Sequence, residues 1–475
     1  MTGLCYIIIQ LNCRYLIMYL SDTIAAISTG MNNAGIGIIR ISGDTSFEIA
    51  SRIFYTRSGN KVKEFDSHRV YYGFIKDGED IIDEVLLIAL RSPKSYTTED
   101  TIEINSHGGN LVMRRVLNTV ISNGARLAQP GEFTKRAFLG GRIDLSEAEA
   151  VIDVINSKNE YSLTNSIKQL TGKLYEKISL IRSKIKYEIA YIEAALDDPE
   201  HYDLNGYYDD LKIKTDDIIS ELVLLKKSFN EGRIISEGIN TVIIGKPNVG
   251  KSSLLNILTG EETAIVTDIA GTTRDILEQD IMINGLSLKI IDTAGIRNTD
   301  DIIEKIGVKK AYNYAEKADL ILMIMDSSIP IDDSDIEIFD YIKDKTSLIL
   351  LNKSDLKSMT SIEEVRKYTD KYIMMISARD ESGIDEFKAK IEEMFVSGKI
   401  DYNDEILISN ERHLLAIDRS IEAMKAVLTG MSEKLPEDLI SIDLLNAYEN
   451  LGNITGEKID DDIVNEIFSK FCMGK

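Results

Sequence analysis

Residues 245–252, Gly-Lys-Pro-Asn-Val-Gly-Lys-Ser, stand between the apolar run TVIIG (241–245) and the helix-forming run SSLLNIL (252–258). A strand, a glycine-containing loop and a helix in that order restrict the fold more than any other feature of the chain. The glycines allow main-chain N–H groups to wrap around phosphates, and a helix N-terminus adds partial positive charge there. In this pattern Lys251 reaches the β and γ phosphates of a nucleotide and Ser252 ligates magnesium. A chance glycine-rich turn would not carry both flanking elements.

The surrounding segment supports a sheet with both faces covered. Continuous apolar runs at 241–245, 288–293, 320–326, 347–353 and 372–377 alternate with helical stretches, the pattern of a parallel sheet. On either side the chain changes character. From Leu163 to Leu196 the apolar residues step by three and four, which predicts one long amphipathic helix. Leu414, Ile417, Ile421, Met424 and Leu428 repeat that pattern beyond the sheet-forming segment. One helical bundle built from two sequence halves, with the sheet domain inserted, follows. Before it, strand-like runs at 36–42, 84–90 and 100–106 and a helical run at 110–124 predict an α+β domain. The expected organisation is a multidomain α/β chain: N-terminal domain 18–138, helical halves 139–237 and 398–475, and inserted domain 238–397. Residues 1–17 read as an upstream mis-start, with translation beginning at Met18.

Four further elements follow the phosphate loop in order. Thr272 and Thr273, in AGTTRD, are placed to close over a γ-phosphate and magnesium. Asp292-Thr293-Ala294-Gly295 ends a strand, with Asp292 behind the metal and the Gly295 amide at the γ-phosphate. Asn352-Lys353-Ser354-Asp355 ends another. The Asp355 carboxylate accepts from N1–H and the exocyclic amine of guanine, a pair that adenine lacks, at about 1.5–3 kcal/mol per charged hydrogen bond. Ser377, Ala378 and Arg379 brace the base. The expected GTP set is therefore Asn248, Val249, Gly250, Lys251, Ser252 and Ser253, then Thr267, Asp268, Ile269, Ala270, Gly271, Thr272 and Thr273, with the strand-end residues just named. Magnesium falls to Ser252 and Thr273. After the Asp-Thr-Ala-Gly turn, where small signalling GTPases place a water-orienting glutamine, stands Ile296. Glu304 is a candidate replacement, and equally reads as a solvated acid on a switch helix.

A net charge of −23 argues against a general positive field for nucleic acid. Cys5, Cys13 and Cys472 cannot form a disulfide framework, which points to a reducing, cytoplasmic setting, and no zinc-spaced cluster exists. Residues 4–20 are the one membrane-like stretch, interrupted by Gln10, Asn12 and Arg14, so no membrane partner is expected.

Over residues 19–475 the chain resembles the tRNA-modifying GTPase family MnmE, also called TrmE. The resemblance is carried by SYTTEDTIEINSHGG, QPGEFTKRAFLGGRIDLSEAEAVIDVI, IVTDIAGTTRD, the inserted nucleotide domain and the ending Phe471-Cys472-Met473-Gly474-Lys475. It implies an N-terminal domain that dimerises and binds 5-formyl- or methylene-tetrahydrofolate through Arg40, Glu103 and Arg142, with Lys475 from the tail. Unaided, those residues read as a surface arginine, a strand-end acid and a helix-start base. It implies potassium held by Asn248, Thr267, Ile269 and Thr272, and Glu304 as the catalytic glutamate. It also implies a homodimer, a MnmG-type partner carrying FAD in a heterotetramer or larger assembly, and an aminomethyl or carboxymethylaminomethyl group added at C5 of wobble uridine in tRNA. Cys472 matches a C-terminal cysteine whose thiolate could attack uracil C6, or which packs near the folate.

The chain departs from the family at several places. Ser28-Thr29-Gly30-Met31-Asn32-Asn33-Ala34-Gly35 lacks the usual prolines, Arg142 stands for a lysine, Met473 for an isoleucine, and Asp197-Asp198-Pro199 for Asp-Phe-Pro. The competing expectation is a regulatory or ribosome-assembly GTPase without modification chemistry.

Overall fold

The computed structural model describes residues 22–31, 33–56, 59, 61–198, 201–202, 206–261, 278–291, 314–395, 406–457 and 461–475. Its elements in chain order begin with β1 (Ile24–Ile27), β2 (Ala34–Ser42), α1 (Ser46–Ile53), β3 (Phe54–Tyr55), β4 (Arg69–Asp77), β5 (Asp80–Leu90) and β6 (Thr101–Gly108). There follow α2 (Asn110–Ser122), β7 (Arg126–Leu127), α3 (Glu132–Leu139), α4 (Leu145–Asn156), α5 (Glu160–Leu170), α6 (Lys173–Asp197) and α7 (Tyr207–Glu237). The next are β8 (Ile239–Ile244), α8 (Lys251–Glu261), β9 (Glu278–Ile283), β10 (Leu286–Ile291), β11 (Leu320–Asp326), α9 (Asp333–Ile342) and β12 (Ser347–Asn352). The chain closes with α10 (Ile362–Val365), β13 (Tyr372–Met375), α11 (Ile384–Phe395), α12 (Glu411–Ser432), α13 (Glu437–Thr455) and α14 (Asp461–Ser469).

Two compact units result. The first comprises residues 1–152, 169–186 and 448–475. Its sheet has the order β3-β4-β5-β6-β2-β1-β7, antiparallel except where β1 meets β7. Alternation along the strands sends Ile39, Ile41, Leu87, Ile102 and Ile104 to one face, where Phe47 and Ile53 of α1 and Met113, Val116 and Val120 of α2 cover them. Arg40 and Glu103, paired in register, therefore stand on the opposite face. A second cluster joins Ala137 of α3, Leu145 and Ala148 of α4, and Val464 and Phe468 of α14 with Phe471.

The second unit comprises residues 153–168 and 187–447. Its sheet, β13-β12-β11-β8-β10-β9, is parallel except at the β9 edge. Both faces are buried, which explains the unbroken apolar runs. Leu320, Leu322 and Ile324 of β11 face a core shared with α8 and α11, and Ile321, Met323 and Met325 face one shared with α9. In the same unit α7 packs on α12, so helices from before and after the sheet lie together. Leu222, Leu225 and Phe229 of α7 and Ile417, Ile421 and Met424 of α12 are all buried.

The uninterrupted helix expected over 163–196 is instead two helices. α5 stops at Leu170 and α6 starts at Lys173, with Gly172 at φ +83° between them. A left-handed glycine ends a helix without steric penalty. The apolar spacing runs on across the break, so periodicity alone could not register it. Asp198, which stands where the family has phenylalanine, is exposed beside Asp197 and pairs with His201 at 2.9 Å, so the added charge is solvated rather than buried.

Candidate nucleotide site and tail site

The carboxyl ends of β8, β11 and β12 lie side by side in the second unit, the place where open parallel sheets bind ligands. Each strand releases a loop there. After β8, residues 245–250 turn into α8. Asn248 sits at φ +63°, a left-handed conformation that asparagine tolerates better than most residues. Gly250, at φ +103°, has no room for a side chain: a Cβ would stand 2.1 Å from Asn352 Nδ2. The Lys251 ammonium folds back over its own loop and donates to the carbonyls of Gly245 and Lys246 at 2.6 and 2.8 Å. Ser252 and Ser253 are exposed on the first turn of α8, whose leading N–H groups have no intrahelical acceptors.

After β12, Asn352 is buried and joins two loops. Its Nδ2 donates to the Val249 carbonyl at 2.8 Å, and its Oδ1 accepts from the Ala378 N–H at 2.9 Å. Lys353, at φ +63°, donates to Asp326 Oδ2 at 2.5 Å. Burial works against the Asp326 carboxylate, but hydrogen bonds from Lys353 and Ser328 hold its pKa below the ordinary carboxylate range. Ser377 Oγ donates to Asp355 Oδ1 at 2.9 Å, while the Arg379 guanidinium stands 3.9 Å from the other oxygen. One carboxylate oxygen is thereby oriented by a hydroxyl. The donor set fits a magnesium nucleotide: a lysine and a helix N-terminus for phosphate, a serine hydroxyl for the metal, and a carboxylate braced by Ser377 for the base.

The first unit brings together a second group of predicted residues. Arg40 Nε donates to Glu103 Oε1 at 2.8 Å, and the Gly474 carbonyl accepts from Ser28 Oγ at 3.0 Å and from Arg40 Nη1 at 3.5 Å. Gly474 itself lies at φ +91°, and any Cβ would meet the Ile27 carbonyl at 2.2 Å, so only glycine lets the tail dock here. Ser28, which stands in the proline-free loop, thus has a definite task. Tyr96 lies between two guanidinium groups, Arg40 at 5.2 Å and Arg142 at 4.5 Å from its ring centre, and its hydroxyl bonds Thr134 at 2.9 Å. In the sequence, Tyr96 stands out only as part of the segment SYTTEDTIEINSHGG. Cys472 is a free, exposed cysteine whose carbonyl accepts from the Gly131 N–H at 3.4 Å. An arginine, a carboxylate and an aromatic face suit a pterin with its glutamate tail.

Beside it, Arg136 is 3% exposed and ion-paired with Asp22 at 2.6 Å and with Glu99 and Glu132 at 3.1 Å. Burial pushes Glu99 above its ordinary pKa despite Arg136. Burial also opposes ionised Glu132, yet hydrogen bonds from Arg126 and the Gln129 N–H bring it below the usual range.

A family model described as GTP-binding protein TrmE N-terminus matches residues 23–142, and one described as MnmE helical domain matches 145–472. The tRNA modification GTPase MnmE of Lachnoclostridium phytofermentans is 53% identical over 96% of this chain and 100% of its own length. Those of Acetivibrio thermocellus and Clostridioides difficile are 50% and 46% identical with the same coverage. The chain belongs to the MnmE family of tRNA modification GTPases. Among solved structures, the G domain of the T. maritima FeoB iron transporter aligns with 33% of this chain and 97% of its own at 26% identity, with a TM-score of 0.26.

The two MnmE-family matches span both units and cover the nucleotide loops and, at the tail corner, Ser28, Arg40, Glu103, Arg142 and Cys472, ending two residues before Gly474. Of the predicted residues, Thr267, Asp268, Ile269, Ala270, Gly271, Thr272, Thr273, Asp292, Thr293, Ala294, Gly295 and Glu304 lie outside the described residues, as do Met1 and Met18. Among the described residues, no group of three or more His, Cys, Asp or Glu could hold a metal, and no helix is long and apolar enough to cross a membrane.

Proposed function

We propose that this chain hydrolyses GTP to drive conformational cycling during modification of wobble uridine C5 in tRNA. The reading allots residues 238–397 to the GTPase domain, 18–138 to folate binding and dimerisation, and 139–237 with 398–475 to the helical domain.

Binding falls to the loops just described. Lys251 and the α8 N-terminus hold the phosphates, Ser252 with Thr273 takes magnesium, and Asp355 reads guanine. A fixed cation near the β and γ phosphates supplies the charge that an arginine finger gives elsewhere, an effect of about 10³–10⁵ in rate. Asn248 is the described member of the potassium set with Thr267, Ile269 and Thr272. Glu304 orients the attacking water.

In the N-terminal domain, Arg40, Glu103 and Arg142 hold a tetrahydrofolate with Lys475 from the tail; when bound, it supplies the one-carbon unit. Cys472 presents its thiol to the uracil. The partner is an FAD-carrying MnmG-type protein, joined to a homodimer of this chain in the cytoplasm.

The observation that carries modification over a purely regulatory or ribosome-assembly role is the docking of Gly474 on Ser28 and Arg40, two residues after the free Cys472. A switch GTPase has no use for a cysteine-bearing tail tied to a pterin-type site. Mass spectrometry of tRNA nucleosides from a strain lacking this gene tests it. The C5 aminomethyl-type groups disappear and return with the wild-type chain but not with Lys251→Ala; unchanged modification in the deletion contradicts the proposal.

A further inference from the structure

Lys246, the second residue of the 245–252 loop, is tied down at both its ends. Its ammonium donates to Asp332 Oδ2 at 2.8 Å and to Asp335 Oδ2 at 2.6 Å. Those acids form the capping box of α9: the Asp332 side chain accepts from the Ser334 and Asp335 N–H groups, and the Asp335 side chain accepts from the Asp332 N–H. The Asp335 carboxylate is 4% exposed and the Lys246 side chain 17%, whereas Asp332 is 57% exposed. The Lys246–Asp335 contact is therefore the one shielded from water and salt, and an exposed pair alone would contribute little. At its other end, the Lys246 carbonyl accepts from Lys251 Nζ at 2.8 Å. One residue thus links the helix after β11 to the lysine of the glycine loop.

We propose that Lys246 is a positioning residue for phosphate binding: anchored by Asp335 and Asp332, it fixes the first turn of the loop and the point from which Lys251 reaches a triphosphate. This rests on the reading of 245–252 as the phosphate loop. A reactive group must be held within about 0.5 Å by side chains that are themselves locked, and Lys246 supplies that lock without touching the nucleotide. The plainer alternative is an ion pair that merely pins α9 to the sheet.

The test measures GTP affinity of the full chain by calorimetry, with amide exchange followed over 246–254 and over α9. Lys246→Met and Asp335→Asn each weaken GTP binding about tenfold, the double variant loses no more than either alone, Lys246→Arg restores binding, and exchange accelerates in 246–254. Asp335→Asn keeps the shape of the capping box, so it serves if Lys246→Met does not fold. Unchanged GTP affinity in the folded variants, additive losses, or faster exchange confined to α9 overturns the proposal. If the wild-type chain binds no GTP, the phosphate-loop reading falls first and the positioning role with it.

Discussion

Asn352 and Val249 are joined by a hydrogen bond of 2.8 Å from the amide nitrogen of one to the carbonyl of the other, across 103 residues of sequence. The same side chain accepts from Ala378, so one buried amide holds the phosphate loop and the base-bracing loop at a fixed separation. Asn352→Ala leaves a carbonyl and an N–H unpaired, each costing about 1–3 kcal/mol if still buried. GTP affinity is expected to fall about tenfold or more, and Asn352→Asp, which cannot donate to Val249, is expected to do the same. Calorimetric titration checks both.

The potassium assignment separates side chain from backbone at Asn248. Because Asn248 lies at φ +63°, alanine there adds strain of its own, whereas glycine does not. Hydrolysis by the wild-type chain is expected to run faster in potassium than in sodium. Asn248→Gly should bring the two rates together. A preserved difference in the glycine variant would remove Asn248 from the potassium site.

At the tail site, Arg40→Met strands the Glu103 carboxylate and leaves the Gly474 carbonyl to Ser28 alone. Affinity for 5-formyl-tetrahydrofolate is expected to drop about tenfold or more, given about 1.5–3 kcal/mol for a hydrogen bond to a charged group. GTP binding, which uses the other unit, should not change. Equal folate affinity in the variant would exclude Arg40 from that site.

The buried ion network predicts a pH response. The folded-state pKa of Glu132 lies below its ordinary value, so its stabilising effect is complete above the ordinary carboxylate range and disappears as pH falls through the folded value. Amides of α3 in the wild-type chain should lose protection on acidification more steeply than in Glu132→Gln. Identical acid profiles in hydrogen exchange would show that Glu132 carries no such linkage.

Much of the second unit was legible in the sequence for a physical reason. Strands buried on both faces are apolar throughout, and Leu320–Asp326 could be read without error at either end. β9 was not, because Glu278–Ile283 is an edge strand whose polar residues break the run while Ile281 and Ile283 still reach the core. β4 shows no such run either: Arg69–Asp77 carries glycine and charge along a half-exposed strand. In the candidate sites, motif residues announce themselves by spacing. Residues that contact each other do not: Lys246 and Asp332 are 86 positions apart, and Ser28 and Gly474 are 446. Only the folded chain brings such pairs within reach.

Displacement of bound fluorescent GDP by GTP and by ATP, in magnesium and potassium, decides whether this site selects guanine. A carboxylate braced by Ser377 and facing the base end of the site should let GTP compete while ATP at the same concentration does not. Asp355→Asn, which presents an amide N–H where guanine needs an acceptor, should lose GTP and gain xanthosine triphosphate, whose 2-oxo group accepts from it. Equal displacement by ATP and GTP from the wild-type chain would contradict the assignment of this site to guanine nucleotides.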